Sequence, residues 1–172
     1  MLVMTMGLVA LLAQVAGVGG TKPGATKATA ARAATLNVIP GGSVPDIAST
    51  KLQSAKVSAS QGEVVQMRAT ATVRAANLPA RAVAQVVCGI RYSRDGDPSW
   101  SLGAPSETVQ LPKRGASDTI TIERTLNAPA SDTYRMSTAC HVAAPTKGVQ
   151  VTATGTMRAS LRLPTGAAQP VG

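Results

Sequence analysis

Side chains that could carry out catalysis are few in this chain of 172 residues. The sequence contains one histidine, His141, and two cysteines, Cys88 and Cys140. Every Ser-His-Asp or Cys-His scheme of nucleophilic catalysis would therefore have to use His141. A structural zinc site needs four ligands, which is more than these three residues supply. The sequence therefore predicts a protein that is not an enzyme, with no catalytic residues, no metal site and no cofactor.

Basic side chains are the other chemically capable group, because 17 Lys and Arg stand against 8 Asp and Glu and leave a net charge of +9. A guanidinium binds carboxylate or phosphate through paired hydrogen bonds. If the third, sixth and seventh predicted strands are adjacent, their arginines form one exposed face that contains no carboxylate. The sequence predicts that this face binds an acidic ligand, with a solvated face that only favours solubility as the alternative. The five arginines are Arg81, Arg91, Arg135, Arg158 and Arg162.

The partners expected for this face are an anionic cell-envelope polymer, a polar lipid head group or an acidic protein. Aromatic residues make up 2% of the chain, so we expect no specific nucleic-acid recognition, which relies on stacking. Asp95 and Asp97 flank a glycine and could hold a hard cation, although an Asp-Gly turn accounts for both residues. The segment 95–106 is predicted to be an exposed loop. A secreted protease inhibitor that presents this loop is the alternative function.

The elements that must position these residues are strands. From Lys51 to Leu163 apolar and polar residues alternate with a period of two, which is typical of strands with one face in a core. One apolar face per strand favours antiparallel sheets with a solvated outer side. The sequence therefore predicts an all-β protein, an antiparallel two-sheet sandwich of about seven strands. The runs are 52–59, 63–73, 82–92, 107–111, 118–126, 132–142 and 149–163.

The arrangement of cysteines and Tyr134 resembles the immunoglobulin-like sandwich in architecture. Cys88 falls on the third run, Cys140 on the sixth, and Tyr134 near the start of the sixth. The resemblance implies that these two strands are neighbours in one sheet. A Cys88–Cys140 disulfide would then contribute about 4 kcal/mol, and two buried free thiols are the alternative. We expect Tyr134 to pack inward, Trp100 to be partly buried, and His141 to face away from the core as a surface residue.

The amino-terminal region predicts the compartment. Residues 1–18 are almost wholly apolar and the first 20 carry no charge, which predicts a signal peptide or an N-terminal membrane anchor over 1–20, with a soluble apolar helix as the third alternative. This segment is the only membrane contact that we expect. Residues 21–50 are predicted to be a low-complexity linker, 51–163 the sandwich domain and 164–172 a tail. Together these features predict a secreted or anchored extracytoplasmic protein that acts as a cell-surface binding or adhesion module.

Overall fold

The computed structural model describes residues 33–40, 48–97, 101–103, 106–143 and 148–162. These ranges form strands and turns. None of their residues forms a helix long and apolar enough to cross a membrane. The strands are β1 (Ala34–Thr35), β2 (Thr50–Ala59), β3 (Val64–Asn77), β4 (Ala84–Arg94), β5 (Ser101–Gly103), β6 (Glu107–Leu111), β7 (Ser117–Asn127), β8 (Asp132–Val142) and β9 (Gln150–Leu161).

The strands form two antiparallel sheets. One sheet has the order β1-β9-β3-β7, and the other has the order β2-β8-β4-β5, with β6 also paired to β4. The pairing is nested along the chain: β1 pairs with β9, β2 with β8, β3 with β7 and β4 with β6. This nested wrapping of eight strands, with the short β5 added, is the pattern of a jelly roll. The predicted all-β, two-sheet antiparallel sandwich is confirmed.

The pairing of the outer strands differs from the immunoglobulin arrangement. In that arrangement the first strand shares a sheet with the second strand, and the last strand shares a sheet with the sixth. Here β2 pairs with β8, and β9 pairs with β3. The sequence did not reveal this difference because alternation specifies which face of a strand is buried, and not which strand lies beside it.

The sandwich begins before residue 51. Leu36 belongs to the core, and its N–H donates to the carbonyl of Val151 at 2.8 Å. Beyond it, the N–H of Val142 donates to Asn37 and the N–H of Ile39 donates to Val142, both at 2.8 Å. The predicted linker therefore does not extend over these residues. The segment around Leu36 to Ile39 that pairs with the sandwich is too short to show an alternation of apolar and polar residues in the sequence.

Among the described residues, Tyr92 and Tyr134 are the aromatic side chains of the core, which otherwise consists of aliphatic residues, methionines and the two cysteines. Tyr134 is fully buried, which confirms its predicted inward packing. Its hydroxyl donates to the carbonyl of Ala130 at 2.6 Å and accepts from the N–H of the same residue at 3.2 Å. This side chain therefore fastens the turn before β8 to the core. The prediction for Trp100 lies outside the described residues.

The two sheets approach each other closely where β9 passes β2. A Cβ atom on Gly155 would lie 2.9 Å from the Cβ of Leu52, so only glycine fits between the sheets at this point. Nearby, the buried hydroxyl of Thr138 on β8 donates to the carbonyl of Thr156 on β9 at 2.8 Å. This hydrogen bond links one sheet to the other and fixes the position of β8 relative to β9. Strand β8 carries part of the candidate site.

Candidate functional site

The two cysteines form a disulfide, as predicted. Cys88 on β4 lies directly opposite Cys140 on β8, with 4.1 Å between their Cα atoms, and both residues are fully buried. Disulfides persist in oxidising environments outside the cytoplasm. The bond is therefore consistent with an oxidising, extracytoplasmic setting, and it fastens together the two strands that carry Arg91 and Arg135.

The prediction that His141 is a surface residue is wrong. Its side chain is 0% exposed, and its Nδ1 lies 3.1 Å from the hydroxyl of Ser49, which is also buried. Alternation correctly placed His141 on the opposite face from Cys140. It could not show that this part of the outer face is covered, because Ser49 belongs to the stretch that reads as a linker. The contact joins His141 on β8 to the chain just before β2.

The five predicted arginines do not share one face. Arg91 on β4 and Arg135 on β8 lie on the outer face of the same sheet. Arg158 lies on β9 and Arg162 directly follows it, so both belong to the other sheet. Arg81 lies in the turn before β4, with a φ of 66°. The predicted single face is incorrect because β9 pairs with β3 and not with β8.

Arg91 and Arg135 instead belong to a basic depression of about 260 Å³ on the outer face of β2, β8 and β4. The register explains its shape, because two small residues, Ser54 and Ser137, lie opposite each other at its centre. On its other side Ser137 lies opposite the long side chain of Arg91. Long cationic side chains surround these small ones. We call this depression the basic cup. Its floor comprises Ser54, Ser93 and Ser137, and its rim comprises Lys51, Lys56, Arg91 and Arg135.

The carboxylate of Asp95 reaches the basic cup, contrary to the sequence-based expectation. Lys56 lies directly opposite Arg135, and like charges in that position repel each other. Asp95 offsets this repulsion, since Nε and Nη2 of Arg135 both donate to its carboxylate, the latter at 3.0 Å. The hydrogen bond from Arg135 holds the pKa of Asp95 below its ordinary value. The same hydrogen bond, with Asp95 as the acceptor, raises the pKa of Arg135.

The turn after β4 positions Asp95. Its N–H donates to the carbonyl of Thr133 at 3.0 Å, and the N–H of Gly96 donates to both carboxylate oxygens of Asp132. Asp97 pairs with Arg94 at 2.7 Å. Both acidic residues of the turn therefore neutralise arginines. No cluster of three metal-ligating side chains occurs within the part of the chain that the structure describes. The segment 95–106 proposed for protease inhibition is not a loop throughout, because Ser101–Gly103 form β5 and pair with β4. Its residues 98–100 and 104–105 lie outside the described part of the chain.

Arg158 lies in a second basic depression, on the outer face of β9, β3 and β7, with a volume of about 580 Å³. Arg158 is directly opposite Arg68 of β3, and Arg68 is in turn opposite Glu123 of β7. The Nε of Arg68 lies 3.3 Å from Oε1 of Glu123. Gln66 and Ser160 oppose each other in the next row. We call this depression the opposite groove.

Sequence reasoning missed four of the cations in these two depressions, which are Lys51, Lys56, Arg68 and Arg124. Arg68 alternates with apolar residues in the run 63–73, and it would have been included if the pairing of β3 with β9 had been known. Lys56 belongs to the predicted run 52–59, and Lys51 directly precedes that run. Their contribution depends on β2 lying beside β8, which is a contact between residues far apart in the sequence.

No family model and no curated protein matches this chain. Among solved structures, it is similar to a chain of the infectious bursal disease virus Gx strain, with 10% identity, a TM-score of 0.42, and coverage of 76% of this chain and 30% of the viral one. A chain of the T13 particle of the same virus gives 11% identity, a TM-score of 0.41, and coverage of 83% and 35%. The chain thus spans about a third of the length of these viral chains. The C-terminal domain of the sugar-binding protein EclA gives 14% identity, a TM-score of 0.37, and coverage of 84% and 88%. With TM-scores below 0.5, these likenesses carry no functional argument.

Proposed function

We propose that the protein is a non-enzymatic, extracytoplasmic binding module and that its basic cup binds the acidic groups of an anionic polymer. The observation that carries the proposal is the composition of the basic cup. Four cations surround a floor of serine hydroxyls, and Asp95 pairs with one of them, Arg135. A surface with this excess of positive charge attracts anions, and the attraction weakens as salt screens it.

The contact between Asp95 and Arg135 supports the proposal that arginines of the basic cup bind acidic groups. Two guanidinium nitrogens donate to one carboxylate there, which is the bidentate geometry that arginine uses for carboxylate and phosphate ligands. Arg91 presents the same chemical group from the neighbouring strand. The hydroxyls of Ser93 and Ser137 add donors that can bind the remaining oxygens of the ligand.

The spacing of the cations favours a polymer over a single small anion. Lys51 lies opposite Ala139 and Lys56 lies opposite Arg135, because a β-bulge follows Lys51. The two lysines are therefore four partner positions apart, which at the usual rise of a strand corresponds to about 13 Å. That distance exceeds the size of one carboxylate or phosphate and matches several charged units of a chain.

The location of the protein is part of the same proposal. We propose that it is secreted or held at a membrane by its N-terminal apolar segment, where an anionic cell-envelope polymer is the expected partner. The disulfide and the apolar sequence of residues 1–18 support this location. The intact mass of the protein from its native host would report whether the first 20 residues are removed.

The test of the basic cup is retention on a heparin column. Lys56→Gln combined with Arg91→Gln should elute at lower salt than the wild type. The matched control is Lys113→Gln combined with Arg114→Gln, which removes the same charge from the exposed turn between β6 and β7. If the basic cup binds the polymer, the control elutes after the cup variant. If both variants elute together, the net charge alone explains retention and the proposal fails.

A further inference from the structure

We infer that the module is bivalent: the opposite groove is a second site for anionic polymer, so one molecule joins two polymer chains. The inference rests on the proposed function of the basic cup, and extends it by a second site on the other sheet. It follows from a charge arrangement that the two outer faces of the sandwich share.

Each sheet places two cations directly opposite each other on neighbouring strands. In the basic cup these are Lys56 and Arg135, and in the opposite groove they are Arg68 and Arg158. Each pair has one member held by a carboxylate, since Arg135 binds Asp95 and Arg68 binds Glu123. For the other members, Lys56 and Arg158, no described carboxylate lies within ion-pair distance.

This arrangement favours an anionic ligand in the opposite groove as it does in the basic cup. Like charges directly opposite on a sheet repel each other, and an anion placed between them replaces that repulsion with two attractions. The groove also supplies neutral donors, because Gln66 and Ser160 lie in the row beside the two arginines. Arg162 follows at the end of β9, four positions after Arg158, and extends the positive surface along the strand direction by about 13 Å.

The two sites face in opposite directions. Sheets of a sandwich pack about 10 Å apart, and each site lies on the outer side of its own sheet. A stretch of polymer that lies along one face can reach the other only by turning around the edge of the sandwich. Two separate chains can occupy the two faces without such a turn. The protein would then hold neighbouring polymer chains together, and this is a physical basis for an adhesive role.

A two-step capture experiment tests the inference. Heparin is immobilised on a sensor surface, the protein is loaded and washed, and fluorescently labelled heparin is then added in solution. The wild type should bind in the first step and capture labelled heparin in the second. The cup variant Lys56→Gln/Arg91→Gln and the groove variant Arg68→Gln/Arg158→Gln should each bind in the first step and lose the second capture. The control Lys113→Gln/Arg114→Gln should capture as the wild type does.

The outcomes separate the two claims. A wild type that binds the immobilised heparin but captures none in solution overturns bivalence and leaves the function of the basic cup intact. A wild type that fails to bind in the first step overturns the proposed function itself. If the groove variant captures labelled heparin as well as the wild type does, the second site is not the opposite groove. Capture by paired copies of the protein, each using only its cup, would give that same result and would also overturn the inference.

Discussion

Replacing Cys88 and Cys140 together by alanine should lower the free energy of unfolding by about 4 kcal/mol. The two residues are 52 positions apart in the sequence, and their bond closes a long loop in the unfolded chain. The disulfide lowers the conformational entropy of the unfolded chain, and the alanine variant regains that entropy. The estimate for a loop of this length gives the magnitude of about 4 kcal/mol. Domains of this size have a total stability of about 5–15 kcal/mol, so the loss is a large fraction of it. The aliphatic core has few large side chains to compensate for the loss.

Urea unfolding followed by circular dichroism measures this effect, with and without a thiol reductant. Reduction should lower the midpoint of the wild type to that of the double alanine variant, and should leave the variant unchanged. The reasoning would be refuted if the variant lay within about 1 kcal/mol of the oxidised wild type, which is the scale of an ordinary substitution. It would also be refuted if complete reduction left the wild type as stable as before.

Three further predictions follow from individual contacts. Tyr134→Phe keeps the buried ring but removes the hydroxyl that binds the preceding turn, so the urea midpoint should fall by the equivalent of about 1–2 kcal/mol. Gly155→Ala should cost about 1–3 kcal/mol by overpacking, and a second substitution, Leu52→Ala, should offset part of that cost in a double-mutant cycle. Asp95→Asn should raise the salt concentration needed to elute the protein from heparin, because the basic cup loses its carboxylate. Arg135 lowers the pKa of Asp95 from its ordinary value of 3.8. The stabilisation from this ion pair is therefore present above pH 3.8 and is lost as the pH falls through the lower pKa of the folded state. Below that pKa, the elution difference between wild type and variant should disappear.

The strands were predictable because each one has a single face in the core, which is a local property of its own residues. The predicted run 132–142 has the same bounds as β8, and 107–111 has the same bounds as β6. The disulfide was predictable for a related reason, since both cysteines point inward and the third and sixth predicted strands are neighbours in the structure, as the resemblance implied.

The candidate site was predictable only in part, because it depends on which strands are neighbours. Arg91 and Arg135 were correctly placed together, since β4 lies beside β8. Arg158 was assigned to the same face, yet β9 lies in the other sheet. The pairing of β9 with β3 and of β2 with β8 joins residues far apart in the sequence, and alternation holds no information about such contacts. The burial of His141 was missed for the same reason.

The most direct test of the central claim, that the basic cup binds anionic polymer, is the change in backbone amide NMR shifts when a heparin tetrasaccharide is added. We expect saturable shifts at the floor residues Ser54, Ser93 and Ser137, with a second group of shifts in the opposite groove if the protein is bivalent. Added salt should reverse both groups of shifts. Shifts confined to the turn that holds Lys113 and Arg114, or shifts spread evenly over the surface without saturation, would contradict the account.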